Sequence, residues 1–200
     1  MMPTETTGTN HFDLIEPPAV LAGITARTQE LKFDMASEPH TGALLRALAA
    51  SKPGGRFLEL GTGTGVATAW ILAGMDAHSS LTSVDFDPEH QAVAREFLGH
   101  DSRLELVLED GFLFLKSQPA NNYDFVFADA IPGKFEGLED CLRVVKRGGF
   151  YIVDDMYPLP KWPKAHTERV LALMDQLTGD GHLTIAKMAW ATGIVVAVKR

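Results

Sequence analysis

The sequence predicts an α/β protein: a doubly wound, seven-stranded sheet, mostly parallel, with helices on both faces and a C-terminal antiparallel hairpin. Three observations carry this expectation. Short apolar runs alternate with longer amphipathic segments from residue 56 to 155. A glycine-rich turn follows the first of these runs. The last two apolar runs stand too close together for a helix to fit between them.

Residues 1–16 are rich in Thr and Gly with no apolar period, and read as a flexible tail. The rest, 17–200, reads as a single domain, with helices over 17–50 and the sheet core over 56–200. Pro17 and Pro18 open a helix over about 18–31, with Val20, Leu21, Ile24 and Leu31 near helical spacing. A second helix runs from Glu38 or Pro39 to Ala50 and ends at Lys52-Pro53-Gly54-Gly55. The strands expected next are 56–60, 81–86, 104–108, 123–129 and 149–155. Helices fit between them at about 64–74, 88–98, 111–117 and 135–146. A proline-rich loop with Pro158, Pro160 and Pro163 leads to a helix at about 164–178. The runs 182–190 and 194–200 flank Ala191-Thr192-Gly193 and form the hairpin.

Composition narrows the function. Hydrophobic residues make up 46% and charged residues 22%, so the chain carries a normal core. With 18 basic and 26 acidic residues the net charge is −8, which disfavours nucleic acid, whose phosphates need clustered cations. No apolar stretch is long enough to span a bilayer, and the first residues lack the order of a signal peptide. Cys141 stands alone, so neither an internal disulfide nor a cysteine zinc site is expected. These features point to a cytoplasmic protein.

The strongest chemical signal is FLELGTGTGVAT, residues 57–68. Gly61, Gly63 and Gly65 let the backbone approach a ligand, and the helix that follows offers free N–H groups. The spacing differs from the GxGxxG of dinucleotide binders, which disfavours an oxidoreductase. A plain tight turn is the bland alternative. Asp85 ends the second strand about 20 positions later, where an acid holds a ribose diol; a structural role is its alternative. Asp87-Pro88 reads as a helix cap. Glu109-Asp110-Gly111 follows the third strand, where an acceptor would take an adenine amino group; Asp110 would equally cap the next helix.

Together these features resemble a class I, Rossmann-like methyltransferase that uses S-adenosylmethionine, and more narrowly the catechol and caffeoyl-CoA type O-methyltransferase family. The resemblance spans about 33–200 and includes FDMASEPHTGALLRAL ahead of the glycine motif. It implies that Met35 and Ser37 touch the cofactor, that Glu59 holds its amino group, and that Gly61 and Gly63 pass beside its methionine part. It assigns the ribose to Asp85 and the adenine to Asp110, with Gly111 beside it. It also implies a homodimer and a divalent metal, Mg²⁺ or alternatively Mn²⁺ or Ca²⁺, on Asp129, Asp154 and Asp155.

Two positions depart from the family. Asp155 stands where the family has Asn, and Pro132 where it has a lysine, with Lys134 two residues later. Lys134, His166 and Asp129 are the candidate catalytic groups. The expected function is methyl transfer from S-adenosylmethionine to a hydroxyl of a small molecule, with a metal lowering the hydroxyl pKa. The alternatives are a metal-independent methyltransferase acting on another small acceptor and a non-catalytic protein that binds S-adenosylmethionine.

Overall fold

The computed structural model describes residues 15–159 and 162–200. The tail expected over 1–16 lies, up to residue 14, outside the described residues, as do Pro160 and Lys161. The elements in chain order are α1 (Leu21–Glu30), α2 (Pro39–Ala50), β1 (Arg56–Leu60), α3 (Val66–Gly74), β2 (Ser80–Asp85), α4 (Pro88–Leu98) and β3 (Leu104–Leu108). They continue with α5 (Gly111–Ser117), β4 (Tyr123–Ala128), α6 (Leu138–Val144), β5 (Val145–Val153), α7 (Lys164–Gly179), β6 (Leu183–Met188) and β7 (Ile194–Lys199).

The seven strands form one sheet in the order β3-β2-β1-β4-β5-β7-β6. β1 to β5 are parallel. β7 is antiparallel to both β5 and β6, so the hairpin inserts its second strand next to the core and leaves β6 at the edge.

The central strands read as continuous apolar runs because both faces are covered. Successive side chains point to opposite faces. Leu58, Val126, Tyr151 and Val153 pack with residues of α5, α6 and α7. Their neighbours Phe57, Phe125, Phe127 and Ile152 pack with residues of α1 to α4. The sheet is therefore the middle of three layers.

Several boundaries differ from expectation. Helix α1 begins at Leu21, after a turn. The helix expected over 135–146 is confined to Leu138–Val144, because Gly137 caps it at φ 70° and the chain turns directly into β5 at Val145. Tyr123 pairs with Val145, and an irregularity follows before Phe125 pairs with Phe150. The polar Lys146-Arg147 stretch hides this early strand start in the sequence.

The chain order reverses between β1 and β4. β1 pairs with β2 on one side, and the chain then crosses over so that β4 lies on the other. Such a switch point opens a crevice at the C-terminal strand ends, where ligands bind in open α/β sheets.

Candidate active site

The crevice is built by the glycine turn. Gly61 N–H donates to Val84 O at 2.9 Å, and Asp129 N–H donates to Leu60 O at 2.9 Å, which fixes the ends of three strands. Gly61 has φ 97°, and a Cβ there would stand 2.7 Å from Asp129 O. Only glycine meets both conditions. Thr28 on α1 donates to Thr64 Oγ1 at 2.8 Å, tying the N-terminal helix to the turn.

A cavity of about 360 Å³ results. Its walls include Met35, Ser37, Gly61, Gly63, Asp85, Gly111 and Asp129, all singled out from the sequence. Ser37 donates to Asp129 Oδ2 at 3.3 Å. Asp85 is held rigidly: its Oδ2 accepts from Gly63 N–H at 2.7 Å and its Oδ1 from Asp87 N–H at 2.9 Å. An ionised carboxylate has about four lone-pair sites, so acceptor capacity is left for a diol.

Sequence reasoning missed part of this cavity. Phe33, Phe86, Ile131 and Pro132 also line it. Phe33 lies against His90, with ring centroids 4.5 Å apart. Phe86 is 80% exposed and Met35 73%, so the mouth presents bare apolar surface. Phe86 directly follows the strand-end acid, a position that marks it as a pocket wall in retrospect.

Two expected cofactor contacts, Glu59 and Asp110, are not among the residues that line the cavity. Glu59 does not line the cavity and is fully buried behind the turn. Its Oε2 accepts from Thr68 Oγ1 and Ser83 Oγ, each at 2.5 Å, while Oε1 has no partner. Burial drives its pKa up from 4.5 to about 8, against the lowering effect of the two hydroxyls. Its place follows from strand alternation, since it shares a face with Phe57 and points toward α3. Asp110 caps α5 instead, accepting from Phe112 N–H at 2.7 Å and Leu113 N–H at 3.3 Å. The neighbouring Glu109 takes the position in the cavity wall.

The acidic rim also differs from expectation. Asp154 is 2% exposed and its carboxylate accepts three hydrogen bonds. Thr41 Oγ1 donates to Oδ2 at 2.8 Å, and Thr192 Oγ1 and Asp155 N–H donate to Oδ1 at 2.8 Å each. Burial raises its pKa nonetheless. Lys134 is 4% exposed, and its Nζ lies 3.7 Å from Asp129 Oδ1 and 4.0 Å from Asp155 Oδ2. Burial lifts the Asp129 carboxyl to about 6, with Lys134 opposing the shift and Asp154 and Asp155 adding to it. His166 Nε2 lies 3.3 Å from Asp155 O, and its ring stands edge-on to Trp162 and Phe135.

A divalent cation on Asp129, Asp154 and Asp155 therefore meets competing partners at all three carboxylates. The oxygens of Asp154 accept from hydroxyl and amide donors, and a lysine ammonium lies within 4.0 Å of each of the other two carboxylates. Among the described residues, no group of three or more His, Cys, Asp or Glu side chains is arranged to hold a metal. Two of the three aspartates expected to hold a metal, Asp129 and Asp155, form an ion cluster with Lys134.

Comparison with known proteins agrees with the crevice. Residues 58–156 match the model of a methyltransferase domain family. A probable O-methyltransferase of Mycobacterium tuberculosis is 30% identical over 195 residues, covering 92% of this chain and 87% of the relative. The chain belongs to the S-adenosylmethionine-dependent O-methyltransferase family. The methyltransferase also shares its fold with solved structures. The O-methyltransferase TomG of Streptomyces achromogenes, in complex with S-adenosylmethionine, superposes with a TM-score of 0.80 at 22% identity, covering 94% of this chain and 92% of that one. An O-methyltransferase from Bacillus cereus in complex with S-adenosylhomocysteine gives a TM-score of 0.78 at 17% identity, covering 94% of each chain. Among the described residues, no helix of the methyltransferase is long and apolar enough to cross a membrane.

Proposed function

We propose that this methyltransferase transfers the methyl group of S-adenosylmethionine to a hydroxyl of a small molecule. One observation carries the reading: the donor cavity at the glycine turn shares Asp129 with the Lys134–Asp155 ion cluster. Donor and acceptor sites thus meet at one residue.

Asp85 takes the ribose hydroxyls, Glu109 and Gly111 face the adenine, and Gly61 and Gly63 pass beside the methionine part. Met35 and Ser37 close the cavity over the donor. Asp129, at the junction, faces the sulfonium, whose positive charge offsets the acidic rim. The acceptor lies outward of Asp129, against Lys134 and the ring of His166.

The sulfonium already activates the methyl group. The protein has to hold an oxygen in line behind it, and such positioning supplies roughly 7–11 kcal/mol of the barrier. Asp129, with its carboxyl at about 6, is ionised at neutral pH and accepts a hydrogen bond from the incoming hydroxyl. The family resemblance further leads us to propose a cytoplasmic homodimer, which light scattering would register as twice the 21.8 kDa chain mass.

The test is calorimetric titration of S-adenosylmethionine into the protein, followed by mass-spectrometric detection of methylated products from a panel of phenols and aliphatic alcohols. Donor binding with methylation of a hydroxyl supports the reading. Failure to bind the donor overturns it.

A further inference from the structure

We propose that the Lys134 ammonium takes the place of a divalent cation in this site, so that transfer proceeds without metal and the acceptor oxygen is held by a tethered charge. The inference rests on the methyltransferase reading above and deepens it.

The first argument is the chemistry of the donors. Hard divalent cations need oxygen atoms at about 2.0–2.6 Å. Asp154 is buried and already accepts three hydrogen bonds, from Thr41, Thr192 and the Asp155 amide, so little of its acceptor capacity is left for a cation. A cation bonded to both Asp129 and Asp155 has to compete with the Lys134 ammonium, which lies within 4.0 Å of each, or expel it. Expulsion leaves a buried lysine without a partner, which is costly.

The second argument is that the lysine is held there by construction. The Pro132-Gly133 turn swings Lys134 inward. Gly133 has φ 79°, and a Cβ there would stand 2.6 Å from Leu60 Cδ1. Its N–H donates to Glu136 O at 2.7 Å. Its carbonyl accepts from Tyr151 Oη at 2.7 Å, and Tyr151 is completely buried in β5. Tyr151 is thus a positioning residue that fixes the turn from beneath.

The third argument is electrostatic. The ammonium is not matched by one carboxylate but shared by two, at 3.7 and 4.0 Å, beyond the length of a direct hydrogen bond. Among the described residues its N–H groups make no hydrogen bond, and the Asp155 side chain beside it, 39% exposed, is the side from which an acceptor oxygen would reach them. As the methyl carbon–sulfur bond breaks, its electron pair stays on sulfur and leaves S-adenosylhomocysteine. The acceptor oxygen supplies the pair for the new carbon–oxygen bond, and the hydroxyl proton passes to water. Lys134 holds the oxygen and stabilises the negative charge it carries as its proton leaves, before the new bond consumes that charge.

The experiment has two arms on the full-length protein. In the first, Mn²⁺ is titrated calorimetrically into protein saturated with S-adenosylhomocysteine. No binding tighter than about 0.1 mM is expected. Mn²⁺ binding tighter than that, lost in Asp129→Asn, overturns the proposal. This arm reads out even if no acceptor is found, and the heat of S-adenosylhomocysteine binding separately tests the methyltransferase reading. In the second arm, EDTA leaves turnover unchanged. Lys134→Met lowers kcat by ~100-fold or more at unchanged donor affinity, as removal of one charge-stabilising donor does. Lys134→Arg recovers part of the loss. Should Lys134→Met fold poorly, Tyr151→Phe serves instead: it raises the acceptor KM and lowers kcat while donor affinity stays constant. Turnover abolished by EDTA and restored by Mg²⁺ overturns the proposal.

Discussion

Thr41 Oγ1 donates to Asp154 Oδ2 at 2.8 Å, and this bond joins the first turn of α2 to the end of β5. Thr192 adds the β6–β7 turn to the same carboxylate at 2.8 Å. Asp154 is thereby a structural clamp on three segments.

Removal of the clamp should cost stability. Asp154→Ala leaves two hydroxyls and an amide without their acceptor, and a loss of about 2–4 kcal/mol is expected. Asp154→Asn keeps an acceptor for Thr192 and the Asp155 amide, and the Thr41 hydroxyl can reverse its role, so it should cost under about 1 kcal/mol. Urea denaturation of the two variants measures the difference.

Asp85 should govern donor binding. It faces the cavity and also holds Gly63 N–H at 2.7 Å. Charge-assisted bonds are worth about 1.5–3 kcal/mol, so Asp85→Ala should weaken S-adenosylmethionine binding roughly 10–100-fold. Isothermal titration is the check.

Adjacent acids after β3 should separate cleanly. Asp110→Ala removes an N-cap and should cost about 1 kcal/mol in stability with little change in donor affinity. Glu109→Ala should weaken donor binding at nearly constant stability, since Glu109 faces the cavity. Thermal melts and titration of both variants test the pair.

Glu59 should make stability depend on pH in an unusual direction for a carboxyl. In the folded chain its pKa is about 8, against an ordinary value of 4.5. Between these values the unfolded chain releases a proton that the folded chain keeps. The stabilisation is fully present below pH 4.5 and is lost as pH rises through about 8, at up to roughly 1.4 kcal/mol per pH unit. Glu59→Gln should flatten this slope and equal or exceed the parent in stability at pH 8. Urea denaturation at pH 5, 6.5 and 8 tests it.

Much of the fold was legible because the strands repeat a local rule. Phe57 and Leu58 are both fully buried, on opposite faces, so β1 reads as an unbroken apolar run. Asp87-Pro88 announced α4, and both Asp87 bonds are local, to Glu89 N–H and His90 N–H. The start of β5 was not legible, because Val145 joins the sheet through Tyr123, a residue far along the chain. Asp85 could be read as a site residue from its place at a strand end. Glu59, assigned to the donor by resemblance, lies buried behind the turn, and the alternation of RFLEL already turns it away from Leu58 and Leu60 and toward the layer of α3.

The amino-acid sequence by itself determined the three-layer α/β architecture, the glycine turn and the strand-end acids, because hydrophobic period, glycine spacing and capping are set by neighbouring residues. Only the tertiary structure decided the chemistry of the rim. Thr41, Thr192 and Lys134 reach Asp154, Asp129 and Asp155 from segments brought together by packing. Whether three carboxylates face a metal or a lysine depends on which other side chains arrive among them, and that is settled by long-range contact rather than by the motif in which each aspartate stands.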